Sequence, residues 1–301
     1  MSTGSESPNR FETPPAGAGA IDSAGAGAFG SAGVGAVVQA RPLGRPPGDR
    51  RDEPIAPPNP LELRQLATRD AALDALLVVL VGVAFVYLPQ VLLVPVLGTG
   101  AFRIDLLVLL VSKYVECGMV IGLLCYLVLR HRIPAEAFGV RASDPIAQLA
   151  WGGGALVAGF GYSITTGLLL APLAHWFASD LEQRLEFMQA LPLDDVGASA
   201  ALMLAVGVHE ELLFRGLLLT LLRRALGGWI PAALLCATLF GSLHLAQGVL
   251  AVVQVTGLGL VLSWFFVKSR SVVAVALAHF IYNFLMLQLM RLASQTNLLP
   301  Q

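Results

Sequence analysis

The chain has 301 residues, 56% of them hydrophobic and only 13% charged, with a formal net charge of −1 at pH 7. An ordinary soluble domain carries about 25% charged residues, so this composition, with a mean hydropathy of +0.72, excludes a soluble globular enzyme and offers no basic excess for a nucleic-acid partner. Cys117, Cys125 and Cys236 all fall inside apolar runs, which excludes a disulfide framework.

In chain order, Met-Ser-Thr-Gly-Ser-Glu-Ser holds no apolar signal core, and Ser2 stands where myristoylation needs glycine. Residues 1–58 are rich in Gly, Ala, Pro and Ser without sustained periodicity, and such a segment buries too little apolar surface to offset its ordering entropy. They read as a disordered tail, with order expected from Asn59-Pro60, an N-cap followed by proline at the first helical position. Residues 59–301 read as an all-α transmembrane bundle.

Seven spans are expected, with six to eight compatible with the pattern: 72–97, 105–129, 147–172, 197–222, 229–248, 249–267 and 271–291. Helices are required because lipid offers backbone groups no partner, and the ~10-residue alternating segments of a barrel are absent. Pro89 and Pro95 should kink the first span. The fifth and sixth spans meet at Gly248. Arginines and lysines cluster before span one and after spans two, four and six, whereas the segment around 180–195 is acidic, with Arg184 as its single cation. The positive-inside rule then places the N-terminus in the cytoplasm and the C-terminus outside a cell (inner) membrane. In that outer loop, Ser179 and Glu182 suggest a capping box, with Phe177, Leu181, Leu185 and Met188 on one helical face. An interfacial helix is the plain reading, a lid the sharper one.

Against this background the stretch Gly-Val-His-Glu-Glu-Leu-Leu-Phe-Arg-Gly at 207–216 stands out. A central Arg, Lys or Asp costs about 2.5–3.5 kcal/mol on insertion scales, so Glu210, Glu211 and Arg215 together would cost on the order of 8–10 kcal/mol facing lipid. They must face the bundle interior. Glu211 and Arg215, at i and i+4, suit an intrahelical ion pair, and Glu210 points about 100° away from Glu211. Lys113 and Glu116, at i and i+3, read as a self-neutralising pair. His209 has no partner at any helical spacing. Span five places Phe240 and His244 one turn apart, and span seven places His279 and Asn283 at i and i+4. Counting ~1.5 Å per residue from the cytoplasmic end puts Glu210 roughly 18 Å deep, His244 roughly 22 Å, His279 roughly 12 Å and Asn283 roughly 18 Å. A lone intramembrane histidine is often a strut between helices. Four such groups from three helices near one depth form a constellation.

The three motifs, Glu210-Glu211-Leu-Leu-Phe-Arg215, Phe240-Gly-Ser-Leu-His244 and His279-Phe-Ile-Tyr-Asn283, resemble those of the CPBP intramembrane proteases (CAAX prenyl proteases and bacteriocin-processing or Abi proteins). The resemblance covers about residues 200–285, within an expected core at 197–291. It implies a membrane-embedded endopeptidase in which Glu210 activates water, His244 assists, and His279 and Asn283 stabilise the oxyanion, with Glu211, Arg215 and Phe240 in support. A desolvated carboxylate suits general-base work, and imidazole and amide donors suit an oxyanion. Family members are often labelled metallopeptidases, and Glu210, His244 and His279 could supply three zinc ligands. Leu213, however, stands where His-Glu-x-x-His needs its second histidine, so a metal-free glutamate mechanism is an equal expectation. Rival readings are a proton-coupled transporter, disfavoured by the lack of internal repeats, and a non-catalytic scaffold or immunity protein. Expected partners are membrane lipid and a membrane-associated or lipidated peptide or protein. The Ala-, Gly-, Leu- and Val-rich composition looks bacterial, which points away from prenylated CAAX proteins as natural substrates.

Overall fold

A computed structural model describes residues 66–84, 106–189, 191 and 195–295. All of these lie in one compact unit, Glu53–Gln301. The tail at 1–58, the helix start at Asn59-Pro60 and the kink at Pro89 and Pro95 lie outside the described residues.

Every regular element described is helical. Helix α1 runs Thr68–Val78 and continues as a π-helical segment, Val79–Ala84. Helix α2 spans Leu106–His131 and α3 spans Pro145–Leu170. A 3-10 segment, Ala171–Phe177, leads directly into α4, Ala178–Gln189. Then come α5 (Val196–Glu211), a π-helical segment (Leu212–Leu218) and α6 (Leu219–Leu226). Helix α7 covers Trp229–Ser242, followed by a 3-10 turn at Leu245–Gln247, α8 at Val249–Ser269 and α9 at Val272–Gln295.

Local chemistry fixes several starts. Asp144 accepts from the Ala147 amide at 3.0 Å ahead of Pro145, so α3 begins two residues before its expected bound. Asp195 caps α5 through the Ala198 amide at 2.7 Å. Ser271 takes the Ala274 amide at 3.1 Å at the head of α9, and its hydroxyl donates to Gln148 on α3 at 2.8 Å. Helix α4 already begins at Ala178, so Ser179 is not its N-cap. The expected capping box is replaced by direct continuation from the 3-10 segment.

Among the described residues, four stretches are long and apolar enough to cross a membrane: Leu109–His131, Pro145–Leu173, Val249–Ser269 and Val272–Leu292. The other expected spans differ for identifiable reasons. Helix α7 stops at Ser242 after 14 residues, about 21 Å at 1.5 Å per residue, against a hydrocarbon core of ~30 Å. The span expected at 197–222 lies within one continuous helical rod, Val196–Leu226, whose pitch widens over its π-helical segment. Only the first part of the span expected at 72–97 is described.

The centre of the bundle is the α5–π–α6 rod. All seven residues of the π segment are buried, and Leu213, Phe214, Leu217, Leu218, Leu219 and Leu221 are fully enclosed. Helix α5 packs between α2 and α9, α9 lies between α5 and α3, and α8 lies against α7 and α3. At the α5–α9 crossing a side chain on Gly207 would meet the Ala276 carbonyl and the Phe280 amide at 3.0 Å, so glycine permits the close approach. This crossing sets the two glutamates of α5 against His279 of α9. Toward the periphery, Ile146, Leu149, Val157, Ile164 and Leu168 of α3 are exposed, giving lipid an apolar face.

Candidate active site

The adjacent glutamates at the end of α5 do different work. Glu211 is fully buried, and its Oε1 accepts from Arg215 Nη1 at 2.8 Å and from His279 Nδ1 at 2.7 Å. The i,i+4 ion pair expected from spacing is present, and it is also the acceptor that orients a histidine from another helix. Arg215 Nη2 donates to the Gly259 carbonyl at 3.2 Å, and its guanidinium lies 4.5 Å from the centre of the Phe240 ring. Glu211 Oε2 and Arg215 Nε find no hydrogen-bond partner among the described residues.

Glu210 is buried, and among the described residues no hydrogen bond tethers its carboxylate. His279 Nε2 lies 3.8 Å from its Oε2, beyond hydrogen-bond range. The basic groups within electrostatic reach of Glu210 are His279, His209, His244 and Lys113. His279 therefore stands between the carboxylates, with Nδ1 on Glu211 and Nε2 toward Glu210. In the donor–acceptor logic of imidazole, the bond to Glu211 fixes Nδ1 as a donor and leaves Nε2 free to face the reaction side.

Phe240 links the other groups. Its ring lies 5.2 Å from the His244 ring and 6.1 Å from the His279 ring, both edge-to-face, and it also packs on Phe214 at 5.0 Å. His244 is half-buried and lies past the end of α7, in the turn before the 3-10 segment. It was expected within a continuous span. The helix ends first, and His244 Nδ1 donates to the Phe240 carbonyl at 3.1 Å, again leaving Nε2 available. Asn283 follows one turn after His279 on α9, half-buried, without a side-chain hydrogen bond among the described residues. Depth counting along straight helices matched Glu210 with Asn283 and set His279 about 6 Å shallower, whereas His279 Nε2 lies 3.8 Å from the Glu210 carboxylate. The π segment between Glu211 and the basic end of the rod packs more residues into each turn, so a uniform rise overstates depth.

His209, unplaced by spacing, has a partner on α2. Its Nδ1 donates to the Ala205 carbonyl at 3.0 Å, and Nε2 lies 3.4 Å from Glu116 Oε2. Lys113 holds that same oxygen at 2.7 Å, the pair its i,i+3 spacing predicts, and Ser112 donates to the other oxygen at 3.3 Å.

The sequence suggests an interfacial helix or a lid for α4, and its side chains dock on the segment just after His244. Asp180 Oδ2 accepts from the Leu250 amide at 2.7 Å, capping α8 from a different helix. Gln183 Nε2 donates to the Ala246 carbonyl at 3.1 Å, and Arg184 Nη1 to Gln254 Oε1 at 2.8 Å. Gly248, at φ +95°, faces Asp180 so closely that a side chain there would come within 2.9 Å of its carboxyl carbon. Burial pushes Arg184 below the usual arginine range, opposed by Tyr282. The Tyr282 hydroxyl in turn lies 2.7 Å from Ser163 Oγ. These tertiary partners were missed by spacing rules; the signals available were the lone cation in an acidic loop and the Gly248 turn.

Among the described residues no three His, Cys, Asp or Glu side chains converge as a metal-ligand set. Of the three zinc ligands considered from sequence, Glu210, His244 and His279, the last is held through Nδ1 by Glu211 and turns Nε2 toward Glu210.

Residues 192–285 match the family model described as Rce1-like, type II CAAX prenyl endopeptidase. The segment is similar to that family over about a third of the chain. The match is consistent with the CPBP resemblance and supports a membrane protease of CAAX type in general. The matched segment begins just before α5 and ends within α9, and so includes both glutamates, Arg215, Phe240, His244, His279 and Asn283. No curated protein and no solved structure matches the chain.

Proposed function

We propose that the protein is an intramembrane endopeptidase of the cell (inner) membrane, cleaving membrane-associated or lipidated peptides or proteins with a glutamate-activated water. The observation that carries this reading is the division of labour between neighbours. Glu211 is occupied by Arg215 and His279, while Glu210 stays untethered, 3.8 Å from His279 Nε2. Glu210 takes a proton from water as the hydroxyl attacks the scissile carbonyl, and returns it to the leaving amine when the C–N bond breaks. His244 presents Nε2 from the end of α7 and assists this transfer. The oxyanion receives hydrogen bonds from the Asn283 amide and from His279 Nε2–H in its doubly protonated form, the other N–H remaining on Glu211. Each step is assigned to the chain's own side chains.

The test uses purified full-length protein in proteoliposomes, with membrane-anchored reporter peptides. Wild type should cleave. Glu210→Ala and Glu210→Gln should each lose about 10²–10⁴-fold, the range for a general acid–base group, at unchanged thermal stability. Cleavage retained in both variants would falsify the assignment. Proton flux without cleavage would instead identify a transporter.

A further inference from the structure

At the end of the bundle where α6 stops, α7 starts and α8 stops, two arginines share one indole. The Arg223 guanidinium lies 4.4 Å from the centre of the Trp229 ring and that of Arg270 lies 4.7 Å from it. We propose that Arg223 and Arg270, paired on Trp229, form a binding site for the phosphate of an anionic phospholipid.

The backbone aims both groups. Gly227, in the left-handed region at φ +76°, ends α6 and turns the chain into α7, placing Trp229 just beyond Arg223. Arg270 itself adopts φ +52° and ψ 35° as it closes α8, a conformation that non-glycine residues seldom take. Its Nε is held by the Val267 carbonyl at 2.7 Å, which directs the rest of the guanidinium to the ring. Like charges gathered on one indole repel, and an anion bound between their edges relieves the repulsion. Consistent with this, burial and then Arg223 push Arg270 down to about 10. Arginine forks match phosphate oxygens in geometry, and stacking keeps them pre-organised.

The surroundings favour a lipid over a free anion. Ile230, Leu226 and Trp264 are 77%, 47% and 54% exposed on the flanking helix ends, an apolar rim on which acyl chains can lie below the head group. Lys268, beside Trp264 at 5.9 Å, adds a further cation. Arg224, the neighbour of Arg223, turns instead to the Leu66 carbonyl at 2.8 Å. Tryptophan and arginine at helix ends are also the residues that settle at the head-group level of a bilayer. A bound lipid would brace the α6–α7 turn, from which α7 runs to Phe240.

The test titrates the full chain, in neutral detergent, with phosphatidylglycerol, phosphatidylcholine or inorganic phosphate, counting bound lipid by native mass spectrometry. Phosphatidylglycerol should bind preferentially and resist displacement by phosphate. Arg223→Gln and Arg270→Gln should each weaken it about fivefold. Trp229→Leu, which keeps both charges but removes their platform, should weaken it too. Arg130→Gln, an exposed cation elsewhere, should not. Equal retention in the arginine variants, displacement by inorganic phosphate, or an equal loss in Arg130→Gln would each overturn the proposal. The wild-type competition decides the matter even if a variant fails to fold.

Discussion

Glu211 links two roles that mutagenesis can separate. Replacing it alone by leucine strands the buried Arg215 guanidinium, and removing one partner of a buried ion pair costs about 3–5 kcal/mol. The double variant Glu211→Leu/Arg215→Met replaces the pair by apolar groups of similar size and should regain most of that stability. It still deprives His279 Nδ1 of its acceptor. We therefore expect thermal unfolding in detergent to recover in the double variant while reporter cleavage does not; recovery of both would mean that Glu211 serves packing alone. The sequence made the Glu211–Arg215 pair legible because helical spacing announces it. His279's claim on the same oxygen, like the His209–Glu116 contact, joins different helices, and no spacing rule encodes which helices touch.

At the level of elements, α4 acts as a strap over the turn carrying His244. Asp180 completes the start of α8 from outside it, and loss of a capping acceptor costs about 1 kcal/mol. Asp180→Ala should lower stability by about that amount, raise amide exchange across 245–250, and lower turnover because the turn after His244 loses its brace. Asp180→Asn, which keeps an acceptor, should do much less in a hydrogen-exchange measurement. Equal exchange in the alanine variant and wild type would remove α4 from this role. The acidic loop was legible as a topological marker, and its helix as a 3.6-residue pattern. The docking was not, because Asp180 looks like an ordinary first-turn acid until α8 is folded beside it. Similarly, the meeting of spans five and six at Gly248 was visible, but the end of α7 at Ser242 was hidden by an apolar run that continues past the helix.

For the whole molecule, the helical class and the membrane habit were readable from hydropathy, and three short motifs nominated the groups of the candidate site. Burying charged groups in lipid is so costly that their presence in apolar runs forces an inward-facing cluster. Span number was less accessible, since a hydropathy plot measures apolar length and is blind to a helix that ends early. The same blindness covers the arginine pair on Trp229, where residues distant in the chain converge on one ring.

The π-helical segment Leu212–Leu218 makes chain length itself a functional variable. Its wider turn sets the phase between the glutamates of α5 and the buried leucines of α6. Wound as ordinary α-helix at the same length, the segment would rotate all that follows by about 100°, one residue's turn. That rotation would carry Leu219, Leu221 and Leu222 away from the core they now fill. Deleting Leu218 removes the extra residue and lets the turn close with α6 still in phase, leaving every motif letter from Glu210 to Arg215 intact. We expect the deletion to keep its helical circular dichroism and to lose no more stability than Leu218→Ala, itself an expected loss of about 2–5 kcal/mol. A deletion that unfolds while the alanine variant stays folded would show that the wide turn does more than set phase. A one-residue gap between 212 and 218 is therefore a change that the core can absorb without a substitution elsewhere.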